Sequence, residues 1–278
     1  MNKSQIGGYN GRKTGLDFET NFNDIMKKNN NCGYRKLLNY DGDEIKSLLV
    51  SDMINWNNTL LKLEKNEKWL YDFLKNKIPP KDNKRACDII VFYKIKNKIQ
   101  HIGIDTKKSK KSTQLMAKSF NEKFFKEYNL STTDINNFKK YITYEGKKRL
   151  FNKNHENFND IETTIFNIIE KIKINLKTRF DNNNLYYNDI IITIDKYKNG
   201  LYKFIYINVD DIIQHIILKS NMQIKKTNFD FQNFISFKPH GSKKKEQHNM
   251  QFFINQSIFN KKKSIYCHEI EFGIDDIK

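Results

Sequence analysis

At 278 residues the chain is long enough for one large domain or two packed ones and can bury a core without disulfide or metal staples. Fifty basic against 32 acidic residues give a formal charge of +18, a field that favours polyanions and makes nucleic acid the expected partner. No apolar run approaches the length of a membrane-spanning helix and no signal peptide opens the chain, so no membrane partner and a cytoplasmic location are expected. Cys32, Cys87 and Cys267 are odd in number and widely spaced, and read as free thiols in a reducing compartment. The bias toward Lys, Asn, Ile and Phe is that of AT-rich coding sequence, so the charge has to be weighed together with motifs.

In chain order, residues 1–13 are polar and expected to be ordered only against a partner. A helix is expected from Thr14, with Leu16, Phe18, Phe22, Ile25 and Met26 at helical spacing and Glu19 on its surface. A second helical region runs from Asp43 to Leu74, with Trp56, Leu60, Leu61, Leu63, Trp69 and Phe73 on apolar positions, and Pro79–Pro80 ends it. After the basic linker 81–85, the β-branched runs Ile89–Tyr93 and Ile99–Ile104, separated by a polar KIKNK segment, predict a β-hairpin. Helices follow at 115–128, after the cap Ser131–Asp134, and at 158–177, with a basic turn GKKRLF at 146–151 between them. Strands at Ile190–Asp195 and Tyr202–Asn208, a helix Val209–Leu218, and strands Phe234–Phe237 and Asn249–Asn255 complete the order. The tail 260–278 is weakly patterned, and nothing repeats internally.

The hairpin carries the chemistry. Asp88 opens its first strand, while Asp105 and Lys107 close the second, two residues apart and so on one face. Two carboxylates and an ammonium in one place suit phosphodiester hydrolysis: the acids hold Mg²⁺ and the lysine steadies the attacking water. A solvated hairpin end carries the same residue types, so the spacing gains weight only from its company. The six histidines form no zinc-ligand spacing, and neither a phosphate-cradling G-x-x-x-x-G-K-[ST] nor a nucleophile elbow is present. Of the basic runs at Lys107–Lys111, Lys147–Arg149 and Lys243–Lys245, the first and third lie near residues able to read base edges. These are Gln114 after the first run, and His240, Ser242, Gln247, His248 and Asn249 around the third.

These residues, in this order, resemble type II restriction endonucleases of the PD-(D/E)xK superfamily, in the small monomeric, MspI-like branch that cuts GCGC or CCGG. Gly15–Glu19 looks like the G-x-x-x-E helix that precedes the hairpin in that branch. CDIIVFYK at 87–94 resembles its S-D-I-x-V-x-V-F-Y strand, and Asp105–Lys111 its Q-x-K and basic run. GKKRLF resembles its K-x-K-R-R-M-F turn, and residues 235–259 its I-S-x-S-P-R-G-S segment and terminal strand. His240 stands where the branch has Arg, which leaves the bases read open, and 43–80 matches poorly.

The resemblance implies an α/β (α+β) fold with a restriction-endonuclease-like core, a mixed central sheet flanked by helices. It implies a catalytic region 1–145 and a DNA-recognition region 146–278. Asp88 and Asp105 would be metal ligands for Mg²⁺, Glu19 an outer or second-metal ligand, and Lys107 the residue that positions the water. Lys108, Lys110, Lys111, Lys147, Lys148 and Arg149 would contact DNA. Gln114 would distort it, and Lys238, His240, Ser242, Lys243, Lys244, Lys245, Gln247, His248 and Asn249 would read the site. The expected activity is cleavage of double-stranded DNA at a four-base-pair palindrome by a monomer, leaving 5′-phosphates, beside a separate cognate DNA methyltransferase. The alternatives are a repair or structure-specific nuclease of the same superfamily and a non-catalytic basic DNA-binding protein.

Overall fold

The computed structural model describes residues 3–79, 87–107, 113–120, 131–133, 136, 142–145, 148–151, 163, 170, 185, 189–198, 201–219, 221, 223–224, 229–240, 248–260 and 262–273. Two compact units are each assembled from separate stretches. The first takes 1–110, 183–209 and 267–278, and the second 111–182 and 210–266. Neither unit therefore coincides with residues 1–145 or 146–278. The protein is of the mixed α+β class.

The first unit is built on a six-stranded sheet. The hairpin forms as its sequence demands: β2 (Ile89–Ile95) and β3 (Lys98–Lys107) pair antiparallel, with Ile89 opposite Ile104. Lys96 and Asn97 alone join them, both left-handed at φ 46° and 65°, the geometry of a two-residue type I′ turn whose twist matches the strands. Left-handed backbone costs an L-residue roughly 1–2 kcal/mol, less for Asn, so the exposed Lys96→Asn is expected to stabilise the chain by about 0.5 kcal/mol. A shift of the urea midpoint at unchanged slope reads this.

Ile45–Leu49 forms β1, pairing antiparallel with β2, where a helix is expected from the sequence. Five residues with Ile45 and Ser47 facing inward fit the alternation of a strand, and the ladder to β2 decides the matter. On the other side of β3, β7 (Ile190–Lys198) pairs with it in parallel, and β8 (Leu201–Asn208) pairs antiparallel with β7. The weakly patterned tail supplies β13 (His268–Gly273), which closes the sheet on β8.

Helices cover both faces. The helix α1 (Lys3–Leu38) starts well before Thr14 and breaks at Lys28–Asn31, where Asn29, Asn30 and Asn31 are all left-handed, a conformation Asn tolerates better than most residues. Its Phe22, Met26, Tyr34 and Leu37 pack with Ile89, Val91, Ile104, Ile192, Phe204 and Phe272. The buried Asn23 Oδ1 accepts hydrogen bonds from Tyr34 Oη and Ser47 Oγ, both at 2.8 Å, so this core contains a satisfied polar group. On the opposite face α2 (Trp56–Asn66) and α3 (Lys68–Leu74) place Leu63, Leu70 and Leu74 against Cys87, Ile90 and Phe92. Leu61, expected to face the core, is 63% exposed.

The second unit contains a five-stranded antiparallel sheet, in the order β4, β12, β11, β10, β9. Its strands are β4 (Thr113–Phe120), β9 (Gln223–Ile224), β10 (Phe229–Phe231), β11 (Ile235–His240) and β12 (His248–Ile254). Residues 115–120 are thus strand rather than the expected helix, because pairing with β12 outweighs the helical propensity of Leu-Met-Ala-Lys. A separate hairpin joins β5 (Ile142–Glu145) to β6 (Lys148–Phe151). Val209–Asp211 is helical and runs into a π-helix, Ile212–Ile217, with four buried isoleucines. Most of the helix expected at 158–177, and residues 121–130, lie outside the described residues. Cys32, Cys87 and Cys267 are free thiols. Among the described residues no helix is long and apolar enough to cross a membrane.

Candidate active site

β2 and β7 both begin level with Ile104 of β3, one on each side, and an aspartate precedes each of them. The backbone of Asp88 is pinned from two directions: its amide donates to the Ile104 carbonyl and its own carbonyl accepts from the Val50 amide, each at 2.9 Å. Its carboxylate then takes the place a longer β2 would have filled, with Oδ2 accepting from the Thr106 amide at 2.8 Å and from Thr106 Oγ1 at 3.1 Å.

Asp105 is 5% exposed, and Lys107 Nζ donates to its Oδ1 at 2.5 Å. Burial pushes the Asp105 carboxyl up to about 8; the Lys107 ammonium pulls it down, and the Asp88 carboxylate adds to the rise. The site thus favours the protonated form of Asp105 more than water does. Asp88, Asp105 and Lys107, singled out by sequence spacing, are gathered at this end of the hairpin.

The residue that spacing alone missed is Asp189. Its carboxylate accepts from the Gly103 amide at 2.6 Å, its amide donates to the Gly103 carbonyl at 2.8 Å, and its carbonyl accepts from the Val209 amide at 2.9 Å. It ties β7 to β3 beside the site. A local signal exists: Asp189-Ile190-Ile191-Ile192 echoes Asp88-Ile89-Ile90-Val91, an aspartate opening a buried strand. The buried Cys87 thiol is pushed up first by burial and then by the charges of Asp88, Asp189 and Asp105.

Two carboxylates, one of them buried with its charge poorly compensated, are hard oxygen donors of the kind Mg²⁺ takes, leaving its other positions to water and phosphate. The pair fits such an ion. Among the described residues no group of three or more His, Cys, Asp or Glu is arranged to hold a metal, so Glu19 does not complete a trio with them. Strand parity gives the reason. α1 packs on the face of Ile89 and Ile104, whereas Asp105 and Lys107, offset by one and three residues from Ile104, belong to the other face.

The residues expected to contact DNA fall in the second unit or outside the described residues. His240 on β11 is the register partner of Asn249 on β12, and Lys238 of Gln251. His248 opens β12, and β6, carrying Lys148 and Arg149, contacts β11. Gln114 is on β4, paired with Phe253 at a register irregularity. Lys108, Lys110, Lys111, Lys147, Ser242, Lys243, Lys244, Lys245 and Gln247 lie outside the described residues.

No protein-family model matches the chain, and no curated protein matches it.

Proposed function

We propose that the chain is a Mg²⁺-dependent, site-specific endonuclease of double-stranded DNA, a type II restriction enzyme of the PD-(D/E)xK kind. The observation that carries this is the meeting of Asp88, Asp105 and Lys107 at the ends of β2 and β3, with Asp105 buried and raised to about 8. Buried, perturbed carboxyls beside a lysine mark catalytic sites more often than solvated hairpin ends. A mixed sheet flanked by helices, with β1–β3 antiparallel and β7 parallel to β3, is compatible with that reading. The charge of +18 agrees with a polyanionic substrate.

Asp88 and Asp105 would hold Mg²⁺, which would supply Lewis-acid neutralisation of the phosphodiester. Thr106 fixes Asp88 through Oδ2. Asp105 would bind the ion as its carboxylate, its proton passing to solvent. Lys107 orients the water and faces the charge that develops on phosphorus oxygens during in-line attack, which leaves a 5′-phosphate. Lys238, His240, Asn249 and the basic residues of β6 serve recognition of a short, four-base-pair palindrome. The enzyme acts as a monomer in the cytoplasm beside a DNA methyltransferase of the same restriction–modification system.

Supercoiled plasmid incubated with the full chain is expected to give discrete bands in Mg²⁺ and to remain supercoiled in EDTA. A smear would mean a nuclease without a fixed site, and binding indifferent to Mg²⁺ with no nicking would leave only a DNA-binding protein.

A further inference from the structure

We infer that Thr193 is a positioning residue for Lys107, an inference that rests on the nuclease reading and adds a member to its site. The parallel register of β3 and β7 pairs Lys107 with Thr193 and Asp105 with Ile191. Paired residues of a parallel ladder project from the same face, so Thr193 stands beside Lys107 on the face that carries Asp105. On its other side, in β8, its register partner is Ile205.

Thr193 is 0% exposed, and its Oγ1 has no hydrogen-bond partner among the described residues. A buried hydroxyl without a partner is costly, and valine would fill the same volume without the penalty. β7 otherwise places isoleucine at 190, 191 and 192. On packing alone, position 193 calls for an apolar residue.

Lys107 explains the exception. Its ammonium has three donors, and Asp105 Oδ1 takes one of them at 2.5 Å. The other carboxylate, Asp88, has Oδ2 committed to Thr106. Once Asp105 is engaged as a metal ligand its oxygens serve the ammonium less well, and Thr193 Oγ1, an uncommitted acceptor one strand away at the same level, takes over a donor of Lys107. The amine is thereby held toward the scissile phosphate rather than swinging to solvent.

Thr193→Val and Thr193→Ser in the full chain test this. The valine variant is expected to melt in EDTA at or above the wild-type temperature and to bind plasmid DNA in Ca²⁺ as wild type does. Its kcat in Mg²⁺ should fall about ten- to hundredfold at unchanged KM, the loss for one hydrogen bond to a charged group. The serine variant should recover most of that rate. Wild-type kcat in Thr193→Val overturns the inference, as does a lowered melting temperature that accounts for the lost rate, which would make the hydroxyl structural. If wild type itself cleaves no DNA with any divalent cation, the nuclease reading falls and takes this inference with it; cleavage by wild type and by the valine variant alike removes this inference alone.

Discussion

Asp105→Asn is expected to bind DNA as wild type does, to cleave it about a thousandfold more slowly or worse, and to melt at a higher temperature than wild type near pH 8 without metal. The loss follows from replacing an anionic oxygen donor at the metal by a neutral amide, which removes charge stabilisation where the transition state needs it. The gain in stability follows from linkage. In the folded chain the Asp105 carboxyl is pushed up to about 8 by burial, against 3.8 for the free side chain. Folding therefore holds a proton that the unfolded chain releases, and the contribution of Asp105 to stability is intact below about pH 4 and lost progressively as pH rises toward 8. Asparagine has no such loss. The variant does forfeit the ion pair with Lys107, whose side chain is 30% exposed and can rehydrate, so that deficit is about 1 kcal/mol or less. The net gain is expected to be about 1–3 kcal/mol near pH 8, where each kcal/mol corresponds to roughly 2–4 °C. Melting curves of both proteins in EDTA should coincide near pH 4 and separate as pH rises. Equal melting temperatures at pH 8, or retained cleavage in Mg²⁺, would remove Asp105 from the role assigned to it.

A site built against its own stability also explains which parts of the molecule were legible in the sequence. The β2–β3 hairpin could be read because its signals are local: two β-branched runs, a polar turn, and an Asp-x-Lys whose parity fixes a face. β1 could not, since Ile45–Leu49 satisfies a helical or an alternating pattern equally and only its ladder to β2 selects one. β4 is illegible for the same reason, its partner β12 being remote in sequence. Asp189 shares its local signature with Asp88. What separates them is position: each carboxylate accepts from a β3 amide, but only Asp88 stands across the β2–β3 ladder from Asp105. Composition and spacing could nominate carboxylates, but which of them meet is decided by strand register.

Phe204→Ala separates the stability of that scaffold from its chemistry, and is expected to destabilise the first unit by about 3–5 kcal/mol, the cost of emptying a well-packed aromatic site. Phe204 on β8 is fully buried, meets Phe22 of α1 edge-on at 5.3 Å, and stacks on Phe272 of β13 at 5.4 Å. One ring thus ties the helix that covers the sheet, the strand beside β7 and the strand that closes the edge. Its loss lowers the stability of the sheet through β8 and β13, while the folded fraction keeps the β3–β7 register. A urea titration followed by circular dichroism should show the midpoint falling steeply. Phe204 touches none of Asp88, Asp105 or Lys107, so cleavage at low temperature, scaled to the folded fraction, should keep its wild-type kcat. Asp105→Asn is expected to behave in the opposite way, more stable and inactive. Lost stability with kcat retained in Phe204→Ala, and gained stability with kcat lost in Asp105→Asn, would place the aromatic core and the carboxylate end of the hairpin in separate roles, whereas a fall of both stability and kcat in Asp105→Asn would mean that its side chain acts only as a support for the fold.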